Sequence, residues 1–185
     1  MNTATSVLRN DHEAILRMLD ATEEVARQLQ KGVSVAPDTL TDLQEFFQIF
    51  ADRCHHGKEE DLLFPFLESR GIPRNGGPIG MMLQEHDMGR RFIGQMVAAS
   101  GEYAAGTKGA GERWSVAARE YSSVLRAHID KENNILFVMA ERILSDSDQA
   151  KLAEAFEKIE IAKVGPGTHA RLHASMERLT AAILS

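Results

Sequence analysis

Cysteine is nearly absent from the 185 residues. Cys54 stands alone, which rules out an internal disulfide and any thiolate-rich zinc or iron–sulfur site. Basic charge is in deficit: 27 acidic against 21 basic side chains leave a formal charge of −6. That balance argues against a general nucleic-acid binder and against a protein held on an anionic membrane. No apolar run approaches the roughly 18 residues that a membrane-spanning helix needs. The opening MNTATSVLRNDHEA has neither the basic nor the apolar part of a secretory signal. A soluble, cytoplasmic protein is the expectation. Proline is scarce and, Pro65 apart, sits at segment ends. The alternation of a half-buried strand is missing over any useful length.

What remains is helix. Apolar residues make up 43% and charged ones 26%, enough for a packed core in a chain of this length. Gly, Pro, Ser and Asp cluster at 32–38, 71–80, 101–111, 145–148 and 164–168, where helices end and new ones are capped. Six helical segments lie between, at roughly 3–30, 39–69, 78–100, 112–144, 147–162 and 168–184, with ends good to about 2–4 residues. The expected fold is all-α: an up-down-up-down four-helix bundle over 1–144, with two C-terminal helices over 145–185 packed on it.

Histidines sit on the apolar faces. His12 follows Leu8 and precedes Ile15, Leu16 and Leu19 on the first segment. His86 shares a stripe with Met82, Ile93 and Val97. His128 and Glu132 lie within Ala117, Tyr121, Val124, Leu125, Ile135 and Leu136. On the second segment Leu43, Phe46, Phe47 and Phe50 make one face, and the chain from His55 onward rotates away from it. Periodicity there does not choose between His55 and His56.

These histidines belong to an internal repeat. HHGKEEDLLFP in the second segment aligns with HIDKENNILFV in the fourth, pairing His55 with His128, Lys58 with Lys131, Glu59 with Glu132 and Leu63-Phe64 with Leu136-Phe137. NDHEAI in the first segment pairs with QEHDMG in the third, each with an acid before its histidine (Asp11-His12, Glu85-His86). The chain therefore reads as two helical hairpins of one design. Residues i and i+4 are neighbours on a helix face, so His-x-x-x-Glu offers an imidazole and a carboxylate to one point. Four imidazoles and two carboxylates are too many for one tetrahedral zinc and suit two borderline metal ions with bridging carboxylates. A single buried histidine would be unremarkable, but six such residues in register would be costly to bury without a cation. The repeat favours His55 and Glu59, with the shifted pair His56 and Glu60 left open.

The pattern H…HxxxE…H…HxxxE, with KEEDLLFP and KENNILF after the paired positions and GGPIGMMLQEHDMGR before the third helix, resembles the hemerythrin-like HHE cation-binding family over about residues 1–144. That resemblance implies a four-helix bundle holding a non-haem di-iron centre, with two iron ions bridged by carboxylate and by oxo or hydroxo groups. It implies His12, His55, Glu59, His86, His128 and Glu132 as iron ligands, with Glu59 and Glu132 bridging. Oxygen-carrying hemerythrins have His-x-x-x-His in the third helix and His-x-x-x-x-Asp in the fourth. Here Arg90 follows His86 at i+4, and Asn133 follows His128 at i+5. The pattern is closer to bacterial di-iron proteins that repair iron centres after nitrosative or oxidative stress, although their additional first-helix histidine has no counterpart between His12 and His55.

The fifth imidazole has one candidate in the tail, where GTHARLH sets His169 and His173 at i, i+4. Either His169 completes an iron or both rings lie on a solvated face. Tyr121, seven residues before His128, is read as core or as a residue near the metals. Asp11 and Glu85 are read either as supports for the ligands or as first-turn acids favoured by the helix dipole. The expected activity is binding of, or reaction with, a small oxidant or diatomic: dioxygen, peroxide or nitric oxide. The alternative is an iron-centre repair or iron-donor protein. Whether it is an enzyme stays open.

Overall fold

Thr3 starts the first helix by accepting a hydrogen bond from the Ser6 amide, one of the donors that a helix start leaves free. The computed structural model describes residues 3–185. Helix α1 is Ala4–Gln30, α2 spans 37–69, α3 is Pro78–Ala104 and α4 spans 110–143. Pro37 and Pro78 open α2 and α3, where a missing N–H costs nothing. The four helices run up-down-up-down, each packed on its neighbours in a closed ring. Ser145 and Asp148 form a reciprocal capping box for α5 (Asp146–Val164). Gly165 and Gly167, at φ 85° and 76°, then reverse the chain into α6 (Thr168–Ile183). Among the described residues there is no strand, and no helix is long and apolar enough to cross a membrane.

The core comes in two apolar clusters. One holds Phe46, Phe47, Phe50, Trp114 and Leu125, and receives Leu172 and Met176 from α6. The other holds Leu8, Leu63, Phe64 and Phe137, and receives Leu152 and Phe156 from α5. Along every bundle helix the chain passes from one cluster to the other through a histidine or glutamate. The polar residues therefore form a layer across the middle of the bundle, with apolar packing on both sides.

Both His-x-x-x-Glu helices widen to π geometry just after the layer, at Glu59–Leu63 and Glu132–Leu136. Pro65, which cannot donate to the carbonyl four residues back, would explain the first. Val138 occupies the equivalent place in the second, so the wide turn belongs to the shared design and not to proline. Its extra residue per turn moves the inward stripe by one position. Leu136 and Phe137 face the core, and Ile135, expected on the stripe, is 54% exposed. Val97 is exposed as well, because the inward line on α3 runs from Ile93 to Met96. Helix α2 has a further π stretch, Phe47–His56, which has no counterpart in α4.

Candidate metal centre

The layer gathers ligand atoms at short range. His12 Nε2 lies 3.0 Å from His55 Nε2, and His86 Nε2 lies 3.1 Å from His128 Nε2. Glu59 reaches His55 Nε2 and His86 Nε2, each at 3.4 Å. Glu132 reaches His12 Nε2 at 3.2 Å and His128 Nε2 at 3.3 Å. Each glutamate therefore spans both hairpins. All six side chains are buried.

The other ring nitrogens are anchored in a circuit around the bundle. His12 Nδ1 on α1 donates to Asn133 Oδ1 on α4 (2.9 Å), and His128 Nδ1 on α4 donates to Glu85 on α3 (3.0 Å). His86 Nδ1 on α3 donates to Glu60 on α2 (2.7 Å), and His55 Nδ1 on α2 donates to Asp11 on α1 (3.3 Å). An acceptor at every Nδ1 fixes the tautomer and leaves every Nε2 with its lone pair turned inward.

The cluster thus turns more lone pairs and negative charge inward than its few hydrogens can pair. Both oxygens of Glu59 and of Glu132 are buried without a hydrogen-bond partner. Burial and the Glu132 charge push the Glu59 carboxyl well up, whereas His128 and His12 hold Glu132 well down against the burial that raises it. Burial lowers His55 to about 3 and brings His56 and His86 below the usual imidazole range. His128, though also lowered by burial, is raised to about 9 by Glu132 and Glu85. Without metal, protons on Glu59 and His128 offset part of this excess of acceptors; metal ions would satisfy the whole of it. The residues fit two cations: His12, His55, Glu59 and Glu132 form one set, and His56, His86, His128 and Glu59 the other, with ligand atoms within 4.8 Å of one another in each.

His56 is the addition that periodicity left open. The choice between His55 and His56 dissolves because both are buried and each faces a different group of potential ligands, His55 the one with His12 and His56 the one with His86. His56 stacks on His86 with ring centroids 3.8 Å apart, and its Nε2 is buried and unpartnered. Glu60 lies behind His86. His169 does not join the cluster: its Nε2 lies 3.7 Å from Asp11 Oδ1, on the far side of the carboxylate from His55, and the ring is about a third exposed. The turn after Gly165 delivers α6 to the outside of α1, so His169 stops at Asp11. Tyr121 is buried in the apolar cluster, edge-on to Phe47.

Asp11 and Glu85 are not first-turn acids. No acid occupies the first turn of α1 or α3, and both carboxylates hold imidazoles from the neighbouring helix. Each is also met by a repeat lysine, Lys58 Nζ on Asp11 at 3.1 Å and Lys131 on Glu85. The halves differ here. Lys58 is buried beneath α5, where it also meets Glu160 at 2.8 Å, while Lys131 is partly exposed. Against the burial that raises it, His169, His55 and Lys58 hold the Asp11 carboxyl well below the ordinary range. Sequence reading missed Asn133 and Glu60 as supports. Their spacing from the glutamates is visible, but their acceptor role depends on which helix they face. Cys54 is buried, and burial pushes its thiol up to about 12, which leaves it unreactive.

A four-helix bundle whose waist converges imidazole and carboxylate lone pairs defines a cation-binding protein. The chain belongs to the hemerythrin family: the model of the Hemerythrin HHE cation binding domain matches residues 3–140. It is 33% identical over 123 residues to the Iron-sulfur cluster repair protein DnrN of Neisseria gonorrhoeae, covering 62% of this chain and 76% of that protein. It is 24% identical over 163 residues to uncharacterized proteins of Mycobacterium bovis and Mycobacterium tuberculosis. Those matches cover 88% of this chain, which spans 63% of their length. No solved structure matches the chain at a significant level.

Proposed function

We propose that this is a non-haem di-iron protein of the cytoplasm that binds or reacts with a small oxidant or diatomic ligand: dioxygen, peroxide or nitric oxide. The observation that carries this reading is the donor set, in which five imidazoles and two buried carboxylates converge, with both oxygens of each carboxylate left without a hydrogen-bond partner. His12, His55, Glu59 and Glu132 would hold one iron, and His56, His86, His128 and Glu59 the other. Iron bound there supplies Lewis-acid and redox chemistry. The chain's own residues orient the imidazoles through their Nδ1 anchors and keep bulk water away. Phe137 stacks on His12 at 5.4 Å and Phe64 on His86 at 5.9 Å, the same contact in each half.

Repair of iron centres, or donation of iron to them, is the second reading. The similarity to the gonococcal repair protein favours it. Residues 1–144 form the unit that would hold iron in either case, with 145–185 as its cover. Protein isolated from iron-replete cells is expected to carry about two irons per chain and a visible spectrum that peroxide or a reductant changes. One zinc, or a flat spectrum after anaerobic iron reconstitution, would sink both readings. Mixing the loaded protein with an apo iron–sulfur protein separates them. Iron transfer that restores a cluster supports repair, and catalytic loss of peroxide or nitric oxide without transfer supports the first.

A further inference from the structure

A pocket of about 180 Å³ opens between α2, α3 and α4 beside the centre. Phe47, His56, Gly89 and Tyr121 make its buried interior, and Asp52 and Arg90 stand at its mouth, about a third exposed. At about 30 Å³ per water in the liquid, the space holds roughly six waters. Ordinary small-molecule sites begin near 300 Å³. Metabolite-sized compounds are excluded on size, whereas ligands of about two or three heavy atoms fit easily.

His56 is unlike the other four imidazoles. Each of those is anchored by a neighbouring helix, but His56 Nδ1 reaches only Asp52 of its own helix, at 3.3 Å. Asp52 Oδ1 is shared with Arg90 Nε at 2.8 Å. His56 has no counterpart in the repeat, where Ile129 stands. Its ring lines the pocket on one side and meets His86 on the other. His86 and His128 have acceptors of their own in Glu60 and Glu85, with Arg90 linking Glu60 to Asp52.

We propose that His56 is the gate of the centre: its imidazole fills one position of the His56, His86, His128 and Glu59 set and swings into the pocket to admit a compact ligand of about two or three heavy atoms. The Asp52–Arg90 pair positions the ring at rest. This inference rests on the metal reading above and assigns the reactive position to the set nearest Tyr121.

The test uses the full-length protein loaded with ferric iron, with azide as the optical probe of binding. Gly94 lines the same pocket, and a Cβ there meets nothing within 4 Å, so the backbone accepts a side chain at this wall and Gly94→Leu is the variant that adds bulk to it. Gly94→Leu is expected to keep its iron and slow azide association about tenfold or more. His56→Ala is expected to bind azide faster than wild type and to respond saturably to added imidazole, which takes the vacated place. The double variant is expected to lose that imidazole response. Melting of the metal-free variants checks that each is folded. If Gly94→Leu holds iron and binds azide at the wild-type rate, the route is wrong. If His56→Ala binds azide no faster and ignores imidazole, the gate is wrong. Should His56→Ala fail to hold iron at its set, His56 is a fixed ligand and the gate is again overturned. A wild-type protein that takes up no iron overturns the metal reading itself, and this inference with it.

Discussion

His12 Nε2 and His55 Nε2 face one another across 3.0 Å with both Nδ1 atoms already donating elsewhere. Two imidazole nitrogens at that distance share a proton or a cation bound to both. Glu59 is the residue shared by both groups that could hold a metal ion. Glu59→Gln is expected to reduce iron from about two per chain to one or none, whereas Glu132→Gln retains the position made by His56, His86 and His128. Metal analysis after anaerobic loading decides it. A full complement of iron in Glu59→Gln would refute the bridging role.

The repeat acids predict a split between affinity and stability. Asp11→Ala and Glu85→Ala each free an anchored imidazole, so each is expected to weaken metal binding about 10–100-fold. Only Asp11→Ala also strips a partner from a buried lysine, Lys58. It is expected to cost the metal-free protein about 3 kcal/mol in urea unfolding. Glu85→Ala leaves a part-exposed Lys131 and is expected to cost less than about 1 kcal/mol. Equal losses in the two variants would show that the burial of Lys58 has no energetic consequence.

The metal-free protein is expected to be most stable near neutral pH. His55 falls from 6.5 to about 3 on folding, and His56 and His86 fall too. Groups lowered in this way contribute stability above 6.5 that is lost as pH drops through the folded values. Glu59, raised by burial, works in the opposite direction, one carboxyl against three imidazoles. His128 is raised from 6.5 to about 9, so its contribution is present below 6.5 and lost as pH rises through 9. Melting temperatures after chelation should therefore be lower at pH 5 and at pH 10 than at pH 7. A monotonic profile would contradict these shifts.

The wide turn after Glu132 can be read by substitution. Leu136→Ala is expected to cost about 2–4 kcal/mol, as for a buried leucine. Ile135→Glu, at a position 54% exposed, is expected to stay within about 0.5 kcal/mol of wild type. An uninterrupted α-helix would bury both positions and make Ile135→Glu costly as well, so chemical denaturation of the two variants tests the π geometry directly.

Much of the fold was legible because helix ends and helix faces are local properties. Breakers mark where the segments stop, and the 3.6-residue period marks which side is apolar. The His-x-x-x-Glu repeat was legible for the same reason, since i and i+4 share a face whatever packs against it. Ile135 and Val97 were misplaced because the assumed period was interrupted in one case and the packing line drifted in the other. His169 drew attention as an imidazole near the chain end, and sequence spacing carries no information about which side of Asp11 a later helix will reach.

The sequence by itself determined that two like hairpins would each offer imidazoles and a carboxylate from apolar helix faces. Spacing along one helix is enough for that. Only the tertiary structure decided that His55 and His56 both point inward, each to its own group, that each anchored histidine takes its acceptor from the next helix around the ring, and that α5 seals Lys58 on one side alone. The histidine anchors join residues 26–121 positions apart in the chain, and only packing brings them within hydrogen-bond reach.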